Sequence, residues 1–400
     1  MTTADPPPRA KLPRNVWLLG FASLLNDIAS EMIYPLLPHF LLAVLGGSKQ
    51  FLGIIEGAAE SLASLLKLFA GAWSDRARQR KSLAVAGYAI AALVRPLFGL
   101  ATAPWHALSL RLADRFGKGI RTAPRDALIA DSTDATVRGR AFGLHRGMDH
   151  LGAAIGPLMA MIFLWLWPAH LRTMFVLTLI PGLAVVALLI FGLREPPRAA
   201  PATQEPLEWT LRPFGANFRV FLAALVLFTL GNSSDAFLLV RAGELGVPQH
   251  LLPLLWFAFH VVKSSGNMAG GALVDRAGPR LPLAAGWLAY AAIYLGFAFA
   301  SSVWHVWTLF LGYGIYYALA EPAEKTLVAQ LAGPQHKGLA FGWYNLAIGI
   351  GALPASVIFG ILYQQFGPVV AFGSGAGLAV GAVALLIFVR ATRDTETMHV

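Results

Sequence analysis

About twelve stretches of this sequence read as candidate spans of a bilayer, and that repetition limits the fold more than any other feature. A helix rises about 1.5 Å per residue, so about 20 residues cross a hydrocarbon core of roughly 30 Å. Spans are expected at 16–44, 51–72, 83–102, 105–128, 140–165 and 172–193, then at 218–241, 250–273, 282–300, 304–328, 338–362 and 368–390. Of the 400 residues, 56% are hydrophobic and 13% charged, and the mean hydropathy is +0.61. A soluble domain carries about 25% charged residues. A chain this long with so few would lack polar cover, so an all-α integral membrane protein is expected. The 40 glycines agree, because small residues let helices in lipid approach closely.

The expected organisation has five parts: a tail over 1–15, a six-helix bundle over 16–193, a linker over 194–217, a second six-helix bundle over 218–390 and a tail over 391–400. The linker carries Pro196, Pro197, Pro201, Pro206 and Pro213 among mixed charges. The run after the Pro-rich, basic start is too long for a signal-peptide core, so it is read as an uncleaved first helix.

The formal net charge is +10, and its distribution explains it. Arg9, Lys11, Arg14, Arg76, Arg78, Arg80, Lys81, Arg138, Arg140, Arg194, Arg198, Arg212, Arg276, Arg280, Lys337, Arg390 and Arg393 fall in links on one side. The other side has Lys49, Arg172 and Arg241. By the positive-inside rule both termini and the linker face the cytoplasm of a bacterial-type inner membrane. No basic stripe interleaves with aromatics on a polar face, so no nucleic-acid partner is expected. Without cysteine, disulfides and thiolate metal sites are excluded.

The halves echo each other at an offset of about 200 residues. Gly71-Ala-Trp-Ser-Asp75-Arg76 answers Gly271-Ala-Leu-Val-Asp275-Arg276, Gly139-Arg-Ala141-Phe142-Gly143 answers Gly338-Leu-Ala340-Phe341-Gly342, and Asn26 answers Asn232.

Over nearly its whole length the sequence resembles the major facilitator superfamily. That family's Gly-x-x-x-Asp-Arg-x-Gly-Arg-Lys signature reads here as Gly71, Asp75, Arg76, Arg78, Arg80 and Lys81, without the second glycine. The second copy reads Gly271, Asp275, Arg276, Gly278 and Arg280. Arg115-Phe-Gly-Lys118-Gly119 resembles an Arg-x-x-Gln-Gly motif associated with proton coupling, with Lys118 in place of Gln. Gly152, Gly156 and Pro157 resemble the antiporter motif Gly-x-x-x-Gly-Pro-x-x-Gly-Gly, with Ala160 and Met161 in the last places. A small-residue packing face with a proline kink is the plainer reading of that stretch. The resemblance implies twelve helices in two pseudo-symmetric bundles and secondary transport by alternating access. It implies a conformational gate at Gly71, Asp75, Arg76, Gly271, Asp275 and Arg276.

Intramembrane charges are costly and mark function or a fixed ion-pair network. Asp27 and Glu31 lie four apart on the first span, beside Asn26, and share a face. Arg111, Asp114, Arg115 and Lys118 share a face of the fourth, and the two faces are expected to meet. Proton coupling is assigned to Asp27 and Glu31 with Arg115 as partner, and to Glu60 and Asp149 as further candidates. Arg146 and Asp149, three apart, are expected to pair. His150 is a candidate relay, a satisfied histidine being the plainer reading, and Glu56 is expected to be solvated near the outer interface. The substrate cavity is assigned to Asn26, Arg111, Asp114, Lys118, Asn232, Asp235, Tyr313, Tyr316, Tyr317 and Glu321. His260 and Lys263 lie on the eighth span. Glu324 and Lys325 are expected to snorkel to the cytoplasm. Trp105, Trp165, Trp167, Trp304 and Trp307 are expected at the outer interface.

No phosphate-binding loop, His-Glu-x-x-His cluster or nucleophile elbow is present, so neither an enzyme nor a cofactor or metal is expected. The expected activity is proton-coupled export of a small molecule by a monomer among membrane lipids. The alternatives are an importer or uniporter of the same fold, and a membrane receptor or enzyme. The basic face of the fourth span allows an anionic solute and Asp27 with Glu31 a cationic one, and the sequence leaves both open.

Overall fold

The computed structural model describes residues 12–76, 80–134, 137–195, 210–333 and 336–389, with the side chains at 67, 68 and 70–76 excepted. Most of both tails, most of the linker and the side chains of Gly71, Asp75 and Arg76 therefore lie outside the described residues.

The described chain is helical. α1 (Arg14–Ile33) continues through tight and wide turns to Val44, and is followed by α2 (Lys49–Arg76), α3 (Arg80–Leu97), α4 (Pro104–Asp131) and α5 (Arg138–Leu166). Then come α6 (Leu171–Leu177), α7 (Leu179–Ala187), α8 (Ala216–Gly231), α9 (Ala236–Glu244), α10 (Leu252–Ala277), α11 (Arg280–Phe299), α12 (Val303–Ala332) and α13 (Lys337–Leu386). Seven helical segments among the described residues are long and apolar enough to cross a membrane. α2, α4, α10 and α12 are equally long, but charged and polar side chains lower their apolarity.

Two departures from the expected spans have local causes. The seventh span is not one helix: α8 stops at Gly231, and Asn232 to Asp235 form a non-helical break before α9. α13 is 50 residues long, more than twice what one crossing needs, and Gly367 breaks it at φ 79° just before Pro368.

α1 packs on α5, α3 on α4, α10 on α12, and α13 lies against both α2 and α8. The α2–α13 contact joins residues before the linker to residues after it. It is a seam of glycines: a Cβ at Gly53 would collide with the Ser356 carbonyl, and one at Gly57 would lie 2.9 Å from Leu353 Cα. Backbones this close leave no room for a side chain. Ser61 crosses the same seam, donating to the Gly349 carbonyl at 2.5 Å and accepting from Leu353 N at 3.1 Å.

The seam begins at the end of the helices remote from the termini. There Lys49 pairs with Glu244 at 2.5 Å, Tyr363 donates to Glu244 at 2.6 Å, and Lys49 N donates to Gln364 at 3.1 Å. Gly53→Val is expected to hold the seam apart, at about 1–3 kcal/mol of overpacking if it is forced to close. Transport should fall while the protein still purifies as a monodisperse species. Unchanged transport would mean that the seam does not close during turnover.

Candidate functional site

The polar interior before the linker forms two layers, one locked and one not. In the locked layer Arg95, from α3, donates to Asp114 at 2.9 Å and to the Asn26 carbonyl and side-chain oxygens at 2.8 and 2.9 Å. Arg111 makes a two-pronged pair with Glu56, both bonds 2.9 Å. All of these residues are buried. A forked guanidinium–carboxylate pair of this kind is strong and geometrically fixed. Glu56 is thus not solvated at an outer interface, because the Arg111 guanidinium reaches it inside the bundle. Arg111, Asp114 and Asn26, assigned from sequence to the cavity wall, are placed behind it.

The second layer is less enclosed. Asp27 and Glu31 are half-buried. Asp27 accepts from Asn26 at 2.8 Å, and Glu31 accepts from Trp256 of α10 at 2.8 Å. Neither has an ion-pair partner among the described residues. The expected Arg115–Asp27 pairing is therefore not formed. Among the described residues Arg115 pairs only with Asp114, on its own helix, at 3.7 Å, and the Arg115 Nε has no hydrogen-bond partner. Arg95 explains this arrangement, since it occupies the space between α1 and α4. Lys118 and Arg121 supply the cationic field at Asp27, and Asp149 supplies an opposing negative one.

Asp149, on α5, accepts from Ser23 and lies 3.7 Å from both His145 and Arg146. The Arg146–Asp149 pairing expected from their spacing is present. Glu60 is exposed on α2, with Ser64 at 3.4 Å, and His150 is also exposed.

The stretch Gly152, Gly156 and Pro157 packs α5 onto α1 at the height of the two carboxylates. A Cβ at Gly152 would meet the Leu24 carbonyl and, at 3.1 Å, Asp27 Cβ; one at Gly156 would lie 3.0 Å from Glu31 Cβ. These glycines thereby set how closely α5 approaches the backbone that carries Asp27 and Glu31.

After the linker, the break at Asn232 to Asp235 turns Asp235 toward α12. Tyr313 donates to Asp235 at 2.7 Å and Tyr317 at 3.3 Å. Tyr313 and Tyr316 are buried in an aromatic stack with Tyr290 and Tyr294, and Tyr317 is half-buried. Only the third tyrosine of the expected wall is therefore partly open. Asn232 donates to Tyr316 at 3.5 Å, and Glu321 pairs with Lys325 at 2.8 Å.

Glu324 departs from expectation. It is buried and accepts from Trp287 at 3.1 Å and Tyr344 at 2.8 Å, so it ties α11 and α13 to α12 instead of reaching water. Asp275 and Arg276 are exposed at the end of α10, beside the turn at Gly278, and a Cβ at Gly271 would meet no described atom within 4 Å. Trp105, Trp165, Trp167 and Trp304 are exposed.

Arg95, Arg121 and Trp256 were not found from sequence. The signal for Arg95 was available: it is a lone charge next to Pro96 in an apolar span. Arg121 continues the cationic face of α4. Trp256 carried no signal, because a tryptophan near a span end reads as an interface anchor.

The arrangement is that of two sets of buried and half-buried polar side chains, one among α1–α5 and one among α8–α12, inside a bundle of apolar helices. Comparison with known proteins agrees. The Major Facilitator Superfamily profile matches residues 19–323 and 220–398. An uncharacterized MFS-type transporter of Methanocaldococcus jannaschii is 32% identical over 95% of this chain and 96% of its own length. A multidrug resistance protein, MdtH, of Photorhabdus laumondii is 25% identical over 87% of this chain and 86% of its own. A crystal structure of a point mutant of the nucleoside transporter NupG superposes with a TM-score of 0.79 at 14% identity, covering 93% of this chain and 98% of that one. With a profile match across most of its length and a relative of this similarity, the chain belongs to the major facilitator superfamily and is a multi-pass membrane transporter, not an enzyme.

Proposed function

We propose that this transporter exports a small molecule in exchange for protons, through twelve spans arranged as two six-helix bundles, with both termini and the linker in the cytoplasm. The observation that carries the proposal is the contrast between the two layers of charge. Glu56 and Asp114 are held by arginines as fixed parts of the structure. Asp27 and Glu31 are half-buried, with no cationic partner in contact among the described residues. A carboxylate at such a depth must be wet, neutral or paired, so these two are the groups able to take up and release a proton. Tight packing of Gly152 and Gly156 against their backbone makes that proton felt by α5. Glu31 also touches Trp256 across the two bodies, so a change at Glu31 reaches the second body directly.

With cytoplasmic termini, the α2–α13 seam and the Lys49–Glu244 pair would close the outer side. The similarity to a protein named for multidrug resistance supports export. Protein reconstituted as a monomer in liposomes of bilayer lipid, screened with a panel of small solutes, tests the reading. Accumulation driven by an imposed pH gradient and collapsed by a protonophore is expected. Accumulation that a protonophore leaves unchanged would overturn proton coupling.

A further inference from the structure

Lys263 lies midway along α10, where an ammonium group is expensive to keep. Its surroundings are those of a cation site. The Lys263 Nζ stands 3.7 Å from the centre of the Tyr317 ring and 5.9 Å from that of Phe259. Glu321 Oε2 is 4.0 Å away, and Asp235, which accepts from Tyr317, also feels the Lys263 charge. An aromatic face flanked by carboxylates is the chemistry that recognises organic ammonium groups.

The contact is loose. The locked pairs elsewhere are 2.9 Å long and buried, whereas the Lys263 and Glu321 side chains are 25% and 36% exposed, and Lys325 takes the other Glu321 oxygen at 2.8 Å. Lys263 therefore occupies a cation site without being fixed in it.

We infer that the cargo of this transporter is an organic ammonium compound, and that the Lys263 ammonium is a tethered occupant of its site which the cargo displaces. The inference rests on the reading of Asp235, Tyr317 and Glu321 as cavity residues, and it specifies the class of solute that the cavity takes. A tethered competitor lowers the affinity of a free cation by holding the same aromatic face. It also keeps the carboxylates compensated between one cargo molecule and the next. The opposite assignment makes Lys263 and Lys325 a binding pair for an anion, and the same experiment separates the two.

The experiment is equilibrium calorimetry on the purified full-length protein with benzyltrimethylammonium and benzoate as paired probes. The expected result is that the wild type binds benzyltrimethylammonium and that Lys263→Gln binds it about tenfold tighter, the scale of one partly exposed cation–π contact. Tyr317→Leu should weaken it by a similar factor, and Tyr317→Phe, which keeps the ring, should retain it. A melting curve for each variant establishes folding; should Lys263→Gln fail to fold, the Tyr317 pair decides the matter.

The inference is overturned if Lys263→Gln leaves ammonium affinity unchanged, if neither protein binds the probe, or if benzoate binds and is lost in Lys263→Gln. Because binding is read without any gradient, its failure leaves proton coupling standing. Failure of gradient-driven flux likewise leaves this assignment intact.

Discussion

Replacing Asp27 with Asn is expected to abolish solute accumulation driven by a pH gradient while exchange between equal compartments continues. Asparagine keeps the shape and the contact with Asn26 but fixes the neutral state. Exchange needs no net proton movement, so a permanently neutral residue can still support it, whereas a carrier that cannot release its proton cannot be driven by one. The cationic field at Asp27 comes from Lys118 and Arg121 without direct pairing, so protonation there changes the field between α1 and α4 without breaking a locked pair. Flux after a pH jump, measured beside counterflow in the same liposomes, checks the expectation. If Asp27→Asn retains full gradient-driven accumulation, Asp27 is structural and Glu31 or Asp149 becomes the site of coupling.

The second large effect concerns stability. Arg111→Met should destabilise the protein by about 3–5 kcal/mol, because it leaves the Glu56 carboxylate buried without its cation. The Arg111 guanidinium also lies over the Tyr34 ring at 4.9 Å, so its loss removes packing as well as charge. The double variant Glu56→Met with Arg111→Met should recover most of that loss, since two apolar side chains of similar volume replace a pair whose desolvation nearly cancels its attraction. Thermal unfolding of the single and double variants in detergent provides the comparison. A single variant as stable as the wild type would show that the pair is reached by water. A double variant as unstable as the single one would show that the pair is needed for more than charge balance.

The fold was largely legible in the sequence because the bilayer leaves few choices. Length and apolarity mark helices that must cross, and the same Gly-x-x-x-Asp-Arg pattern near residues 71 and 271 relates the two halves. The break after Gly231 was hidden, because Asn232, Ser233 and Asp235 sit inside an apolar run that reads as one helix.

The site was less legible, and for a physical reason. Spacing places Asp27 and Glu31 on one face, and Arg111, Arg115 and Lys118 on another, but does not say what enters between the helices. Arg95, from a third helix, takes Asp114 and Asn26, and Glu56 takes Arg111. Which charges are locked and which remain open therefore depends on contacts between residues far apart in the chain. The tyrosines show the same limit: three on one helix look alike in sequence, and burial against Tyr290 and Tyr294 separates Tyr313 and Tyr316 from Tyr317.

Alternating access around the glycine seam is the centre of this account, and the cysteine-free sequence makes it directly measurable. Ser356 lies in the seam and is buried with its carbonyl against Gly53. In sealed liposomes of known orientation, Ser356→Cys is labelled with a membrane-impermeant maleimide applied on the side remote from the termini. The reaction is run at rest, and again with a transported solute and a pH gradient. The account predicts slow labelling at rest and a marked acceleration during turnover, as the seam opens outward. Equal rates in the two conditions would contradict it, because the seam would then be a fixed interface and not a gate.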